Sequence, residues 1–328
     1  MAFRKPESKK VGIKVLVWGK KGSGKSRFLL TFPSIAAIDA EAGLAFYEGK
    51  EVGKNLVLVS NTQSFKELED DMDTIGEEHE ELKVKTLGID SETKIYENIQ
   101  ETVMTVEEKR ARAAGRDVDD TNLSQRSWGR IKHVGKKLQN LKIDLSSKGV
   151  NVVSIAQHDD VKEKKGDQFV VTGGKAVMAK GADYDYDVVL YLYTETDRKG
   201  NVKYLGRVDK DRTDTFKAGH IIENPTYDLW KDEVENKDKK KALDTGFAKE
   251  QETSKDKYEN AIKEDESSMQ EKITKLIADM NSNGDKENKV KFMESIKKAK
   301  ITKFEGLTAK QQENLKVIYD EYRALVQG

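Results

Sequence analysis

The feature that constrains the fold most is a glycine-rich octapeptide, Gly19-Lys20-Lys21-Gly22-Ser23-Gly24-Lys25-Ser26, set between two apolar runs. It matches the pattern G-x-x-x-x-G-K-[ST] at every fixed position. A strand, a glycine-rich turn and a helix in this order form a loop whose backbone N–H groups bind phosphate. The sequence therefore predicts a nucleoside-triphosphate site at the end of a buried strand.

Each residue type in this loop has a chemical reason. Gly19, Gly22 and Gly24 let the backbone turn its N–H groups inward around phosphate oxygens. Lys25 is expected to reach the β- and γ-phosphates and Ser26 to hold Mg²⁺, so ATP and Mg²⁺ are the expected cofactors. The nucleotide-binding candidates are Gly19, Gly22, Ser23, Gly24, Lys25, Ser26 and Arg27.

Short apolar runs alternate with polar stretches of helical periodicity over the first two thirds of the chain. The runs are mostly continuous, which is typical of strands buried on both faces. Helices are predicted at residues 24–31, 63–74, 92–113 and 123–147. This order predicts an α/β fold with a mainly parallel central sheet, and the closely spaced last runs predict antiparallel strands at one edge.

The character of the chain changes near Trp230. Residues 231–268 are dense in both charges, which is typical either of a linker or of a solvated helix. Three later segments carry apolar residues at helical spacing and predict a small helical bundle over 269–328. The predicted organisation is a core over 1–230, a charged connector over 231–268 and a helical domain over 269–328.

Composition narrows the functional classes. Lys+Arg and Asp+Glu both number 59, so the net charge is zero and gives no general argument for nucleic-acid binding. The absence of cysteine excludes disulfides, thiol catalysis and cysteine-ligated zinc. No segment has the length and apolarity of a membrane span or a signal peptide, so a cytoplasmic protein with no membrane partner is expected.

A triphosphatase also needs carboxylates close to the phosphates. Asp90 ends the apolar run in "VKTLGIDSET" and is expected to hold Mg²⁺ together with Ser26. Asp39 and Glu41 come at the end of another run, in "SIAAIDAEAGL", and either could orient the attacking water. Their spacing alone does not separate these two alternatives.

Several segments, taken with the phosphate loop, resemble RecA-type recombinases. The resemblance is closer to the short RecA-core ATPases of bacteriophages, AAA-domain nucleotide-binding proteins that act in DNA recombination and single-strand annealing. The matching segments lie between residues 11 and 228 in the family's order, and are "AAIDAEAGL", "LGIDSET", "VNVVSIAQ", "VTGGKAV" and "VDKDRTDTFKAG". The resemblance implies a RecA-like P-loop fold and a DNA-dependent ATPase. The family's subunit-joining segment is nearly absent before the first strand.

The resemblance also implies roles for individual residues. It favours Glu41 over Asp39 as the catalytic carboxylate and makes Gln157 the sensor of the γ-phosphate. Lys210 and Arg212 correspond to basic residues that reach a neighbouring subunit's nucleotide. A homo-oligomer is therefore implied, either a ring or a filament.

The segment after Gln157 corresponds to the family's mobile loop for single-stranded DNA. Its lysines are expected to neutralise phosphates and its aromatic residue to stack on bases. The DNA-binding candidates are Lys162, Lys164, Lys165 and Phe169. The alternative is a surface hairpin in which Phe169 packs inward.

Two other groups of residues bear on DNA binding. Arg110, Arg112 and Arg116 lie at the position of the family's second DNA loop, although a solvated helix end is the alternative. Trp128 and Trp230 lie in amphipathic surroundings, which predicts that both are core residues rather than platforms for bases.

Two functions remain as hypotheses. The first is an ATPase of phage DNA recombination or annealing that binds single-stranded DNA in a nucleotide-dependent way. The second is a nucleotide-switched adaptor whose C-terminal helices recruit a replication partner, such as a single-strand binding protein. A metabolic kinase is disfavoured by the surroundings of Glu41 and Gln157.

Overall fold

A computed structural model describes residues 6, 10–117, 123–166, 168–235, 243, 245–266, 269–301 and 307–327. The contacts divide the chain into two compact units, Met1–Glu250 and Gln251–Gly328. This division falls inside the segment predicted as a charged connector. Over the described ranges, none of the helices combines the length and apolarity that a membrane crossing requires.

The larger unit is built on one sheet, to which the described residues contribute nine strands. They are β1 Lys14–Gly19, β2 Ile35–Asp39, β3 Leu56–Ser60, β4 Thr86–Asp90, β5 Asn151–Lys165, β6 Gln168–Ala176, β7 Val188–Thr196, β8 Val202–Asp211 and β9 Ile221–Glu223. The order is β3-β2-β4-β5-β1-β7-β8-β9, and β6 pairs with β5. Strands β3 to β7 in this order run parallel, whereas β8 and β9 are antiparallel. The predicted α/β fold with antiparallel edge strands is confirmed.

Helices of this unit cover the sheet on both faces. They are α1 Lys25–Leu29, α2 Phe65–Glu78, α3 Glu92–Ala113, α4 Gln125–Ser147 and α5 Lys231–Val234, and α6 Phe247–Glu266 begins here. Apolar residues of α2, α3 and α4 pack on β2 and β4, while α1 and Trp230 pack on the other face. Trp230 is 1% exposed, as predicted, but Trp128 is 49% exposed and its assignment to the core is wrong.

The smaller unit contains the predicted helical bundle. Its helices are α7 Met269–Ser282, α8 Lys286–Lys298 and α9 Ala309–Gln327. Their apolar faces form a separate core that includes Met280, Phe292 and Leu315, each fully buried. Thr308 caps α9, since its side-chain oxygen accepts a hydrogen bond from the backbone N–H of Gln311 at 3.4 Å.

Candidate active site

The candidate site is a cleft of about 880 Å³ at the carboxyl ends of the parallel strands. Ligands of open parallel sheets bind in such a crevice, because the loops that follow neighbouring strands meet there. The phosphate loop follows β1 and forms one wall. Glu41, Asp90 and Gln157, which come from three other strands or the loops after them, line the same cleft.

Backbone geometry explains why two positions of the phosphate loop, Gly19 and Gly24, are occupied by glycine. A Cβ atom on Gly19 would lie 2.1 Å from the carbonyl oxygen of Leu192, so no other residue fits beside β7. Gly24 has a φ of 92°, in the left-handed region that glycine adopts without strain, and it immediately precedes α1. These two positions fix the path of the chain between strand and helix.

Lys25 lies within the curve of this loop. Its ammonium group donates hydrogen bonds of 2.9 Å to the carbonyl oxygens of Gly19 and Lys20. Burial lowers the pKa of Lys25 below its ordinary value, and the charges of Asp90 and Glu41 oppose this effect. The ammonium group is therefore positioned at the loop, where it can exchange these carbonyl acceptors for phosphate oxygens. Arg27, one turn into α1, also lines the cleft but is exposed.

Ser26 and Asp90 form the pair of oxygen donors predicted for Mg²⁺. The Ser26 hydroxyl donates a hydrogen bond of 2.6 Å to the carboxylate of Asp90, which is 7% exposed. A hydroxyl and a carboxylate beside a phosphate loop are the hard donors that Mg²⁺ takes in nucleotide sites. The residues present therefore fit this ion.

Asp90 should make the stability of the nucleotide-free protein depend on pH. Burial raises the pKa of Asp90 from 3.8 to about 6, with the Ser26 hydrogen bond opposing it and Glu41 adding to it. Because the folded state holds this proton more tightly than the unfolded state, stability falls as pH rises from about 4 to about 6. The shift corresponds to about 3 kcal/mol.

The variant Asp90→Asn isolates this effect, since it removes the titrating group. Its free energy of unfolding in urea, minus that of the wild type, should grow between pH 4 and pH 6 and then level off. A difference that does not change with pH would show that Asp90 is not the group responsible.

The acid that ends β2 and the acid in the turn after it have different environments. Asp39 is 2% exposed, and its carboxylate accepts hydrogen bonds from the backbone N–H groups of Glu41, Gly43 and Leu44 at 3.4, 3.1 and 2.8 Å. Asp39 therefore holds the turn that carries Glu41. The side chain of Glu41 is exposed and lines the cleft, so Glu41 is the acid available to a water molecule beside the phosphates.

Glu41 and Gln157 contact each other across the cleft. The carboxylate of Glu41 accepts hydrogen bonds from the Gln157 amide at 3.0 Å and from the Ser91 hydroxyl at 2.6 Å. Gln157 is also held through its backbone, which donates to the Thr93 hydroxyl at 2.9 Å. The structure thus joins the predicted catalytic acid to the predicted sensor, through residues 116 positions apart.

Sequence reasoning identified Asp90 but missed the role of the rest of the segment from Asp90 to Thr93. Asp90 contacts Ser26 and Ser91 contacts Glu41, while Thr93 accepts from Gln157 and donates to the carbonyl oxygen of Val177 at 2.7 Å. The sequence gives no signal for these contacts beyond the position of the segment after a predicted strand. The segment connects three parts of the site.

Glu92, within this segment, forms a buried ion pair. Its carboxylate lies 2.5 Å from the Lys142 ammonium and accepts hydrogen bonds from Tyr186 at 2.6 Å and from Gln139 at 3.0 Å. Burial alone would raise the pKa of Glu92, but the charge of Lys142 and the hydrogen bonds that the carboxylate accepts together outweigh burial and hold this pKa below its ordinary value. The pair fixes the start of α3 against α4.

The predicted DNA segment is a β-hairpin. Strand β5 continues past Gln157 to Lys165 and pairs antiparallel with β6. Phe169 is 71% exposed, so the alternative in which it packs inward is wrong. Lys164 lies opposite Phe169, and Lys162, two residues earlier on the same strand, shares their face. Lys165 lies on the other face.

The base of the hairpin touches the phosphate loop. Asp160 accepts a hydrogen bond from His158 at 2.8 Å and lies 4.0 Å from the ammonium of Lys20. The His158 ring stacks on Trp18, at the end of β1, with a centroid distance of 5.6 Å. Lys162 lines the cleft itself. The cationic face of the hairpin is therefore continuous with the wall of the nucleotide cleft.

Lys210 and Arg212 do not line the nucleotide cleft of their own chain. Both donate hydrogen bonds to the carbonyl oxygen of Tyr184, at 2.8 and 3.2 Å, and Lys210 pairs with Val189 near the start of β7. That position is towards the amino end of the parallel strands, away from the phosphate loop. Their contact with a neighbouring subunit's nucleotide stays a prediction.

Arg110, Arg112 and Arg116 lie at or just beyond the end of α3. All three are exposed, and Arg110 forms an ion pair of 2.7 Å with Glu107, one turn away on the same helix. Residues 118–122, which follow them, lie outside the described residues. The contribution of these arginines to DNA binding stays a prediction.

The phosphate loop, the Ser26–Asp90 pair and the parallel sheet together define a P-loop nucleotide-binding ATPase domain. The chain belongs to the AAA domain family AAA_24, whose sequence profile matches residues 11–221. This family assignment supports nucleotide binding and ATPase activity as class properties. The match covers strands β1 to β8 with helices α1 to α4, and it ends at the first residue of β9, before the smaller unit.

Among solved structures, the chain is similar to the KaiC-like protein PH0186 from the hyperthermophilic archaeon Pyrococcus horikoshii OT3. The two share 16% sequence identity over 66% of this chain and 90% of the other, with a TM-score of 0.38. None of the curated protein sequences matches the chain significantly.

Proposed function

We propose that the protein is an ATPase of phage DNA recombination or single-strand annealing, which binds single-stranded DNA in a nucleotide-dependent way. The observation that carries this proposal is the course of β5. Its first half ends at Gln157, which contacts Glu41, and its second half carries Lys162 and Lys164 beside Phe169. Exposed cations and an aromatic ring on one face suit a single strand of nucleic acid.

The residues of the cleft account for hydrolysis. The backbone N–H groups of the phosphate loop and the Lys25 ammonium bind the phosphate chain, and Ser26 with Asp90 holds Mg²⁺. When bound, Mg²⁺ neutralises charge on the phosphate oxygens. Glu41 accepts a proton from the attacking water, because its exposed carboxylate lines the cleft and contacts Gln157 there. Asp39 holds the turn that carries Glu41, because its carboxylate accepts hydrogen bonds from the backbone N–H groups of that turn.

Gln157 links the chemistry to the hairpin. Its amide donates to Glu41, and its backbone oxygen accepts from the N–H of Val177 at 2.9 Å, just after β6. A γ-phosphate that competes for the Gln157 amide changes the contacts at the base of both hairpin strands. The hairpin is the element that would then respond to nucleotide state.

A second copy of the chain would complete the site. Lys210 and Arg212 lie outside their own cleft, and both are fixed to the turn at Tyr184. In a ring or filament they would face the nucleotide of the neighbouring subunit. The partners of this proposal are therefore single-stranded DNA and the chain itself.

The alternative, a nucleotide-switched adaptor, has one observation in its favour. The helices α7, α8 and α9 have their own core, and apolar side chains such as Val290 and Val317 are more than half exposed. Such a unit could recruit a single-strand binding protein or another replication protein. Tight ATP binding without DNA-stimulated hydrolysis would favour this alternative.

Substitutions on the two faces of the hairpin test the proposal. Phe169→Ala should weaken binding of oligothymidylate by about 10-fold, because stacking of a base is lost. Lys164→Ala should weaken it by less and lower its salt dependence, because one phosphate contact is lost. Lys165, also a candidate from the sequence, lies on the opposite face, so Lys165→Ala should change the affinity least and is the matched comparison.

The measurements are fluorescence anisotropy of a labelled oligothymidylate and the ATPase rate with and without it. Loss of DNA stimulation in Phe169→Ala, with the basal rate retained, supports the proposal. Equal affinity for DNA in all three variants would contradict the assignment of this face. A wild-type protein that binds no DNA with ATP at low salt would overturn the function itself.

A further inference from the structure

A second cleft, of about 610 Å³, opens between α4 and the turn after β6. We call it the α4 groove. Its apolar lining includes Tyr96, Trp128 and Ile131, and the lysines beside them are Lys132, Lys136 and Lys180. An exposed aromatic side chain in a cleft with a polar rim is typical of a binding site.

The charge of α4 indicates the class of ligand. From Gln125 to Lys142 the helix has six cationic residues and no carboxylate, although the whole chain has a net charge of zero. Lys137 and Lys142 are paired with Glu69 and Glu92, whereas the other four cations are exposed. Asp185 also lines the groove, so three lysines face one carboxylate there. The complementary ligand is an anion.

Two observations favour single-stranded DNA over an acidic peptide. Trp128 and Tyr96 offer aromatic rings to a flat base, and base–aromatic stacking accounts for much of the affinity of such sites. The turn that lines one side of the groove also follows the hairpin directly in the chain, since β6 ends at Ala176 and Lys180 comes four residues later. One strand could therefore contact both.

We propose that the α4 groove binds bases and phosphates of the same single strand that the β5–β6 hairpin contacts. This inference rests on the proposed function and adds a second DNA-binding element to it. Trp128 stacks on a base, and Lys132 and Lys136, one helical turn apart, bind successive phosphates.

The groove is also connected to the nucleotide site. Gln139, which lines the groove, donates to Glu92 at 3.0 Å, two residues after Asp90. The turn on its other side begins at Val177, whose N–H donates to the carbonyl oxygen of Gln157. DNA in the groove therefore contacts elements that position the hydrolytic residues, and its binding is coupled to nucleotide state.

The test uses full-length protein with ATP, a labelled oligothymidylate and three changes in the groove. Trp128→Ala should weaken binding by about 10-fold, and Trp128→Phe should retain most of the affinity because the ring remains. The double variant Lys132→Gln/Lys136→Gln should lower the slope of log affinity against log salt by about 1.4, for two lost phosphate contacts. Lys85→Ala is the control, an exposed lysine just before β4, at the amino ends of the parallel strands.

The outcomes separate this inference from the function on which it rests. If the groove variants bind like the wild type while Phe169→Ala binds weakly, the groove is not a DNA site and the proposed function stands. If the wild type binds no DNA, both fail. If Trp128→Ala changes only the oligomeric state, or only the affinity for an acidic peptide, the groove has another ligand and this inference is wrong. Urea unfolding of each variant verifies that it is folded.

Discussion

Glu41→Gln is expected to lower the rate of ATP hydrolysis by about 10²- to 10⁴-fold while ATP still binds. The substitution keeps the shape of the side chain, so an amide oxygen can still accept from Ser91 and Gln157. It removes the carboxylate that takes the proton of the attacking water. The measurements are steady-state ATPase rates and the affinity for a fluorescent ATP analogue.

Two variants serve as controls for this result. Lys25→Ala should lose nucleotide binding itself, because the ammonium group within the phosphate loop is removed. Asp39→Asn should lower the rate through disorder of the turn, with a loss of stability that Glu41→Gln does not show. Normal turnover by Glu41→Gln would show that another group activates the water.

Lys142→Met is expected to lower the free energy of unfolding by about 3–5 kcal/mol, because it leaves the Glu92 carboxylate buried without its cation. Both side chains of the pair are nearly inaccessible, at 1% and 2% exposure. The double variant Lys142→Met/Glu92→Gln should recover most of this loss, since no buried charge remains. Urea denaturation of the wild type, the two single variants and the double variant gives the coupling energy.

The same variants show whether the pair also positions the active site. If Glu92 fixes the segment from Asp90 to Thr93, the double variant should be stable yet hydrolyse ATP more slowly, with a lower kcat and little change in KM. A recovered stability together with a wild-type kcat would mean that the pair acts on the fold alone.

Local patterns explain what could be predicted from the sequence. The phosphate loop is contiguous, and Asp90 ends a continuous apolar run, so both were found without knowledge of the fold. The apolar pattern did not separate Asp39 from Glu41, because both acids stand at the end of the same run, and the resemblance alone favoured Glu41. The structure separates them since Asp39 binds three backbone N–H groups of the turn.

Long-range contacts and exposed strands explain what could not be predicted. Glu92 and Lys142 are 50 residues apart, and each lies on a helix where a charged residue is ordinarily solvated. The distal part of the hairpin is exposed on both faces, so its residues lack the apolar alternation that predicts a strand. Trp128 has the helical spacing of a core residue, three positions before Ile131, but lies in the open α4 groove.

Strand β5 has a mechanical consequence, because one continuous strand belongs to the central sheet with its first half and to the hairpin with its second half. Its first half pairs with β4 as far as Ile155 and with β1 as far as Gln157, whereas its second half has β6 as its pairing partner. Lys164 lies seven residues beyond Gln157, or roughly 23 Å along the strand. A small change in the direction of β5 at Gln157 would therefore displace the tip of the hairpin by a larger distance than its base.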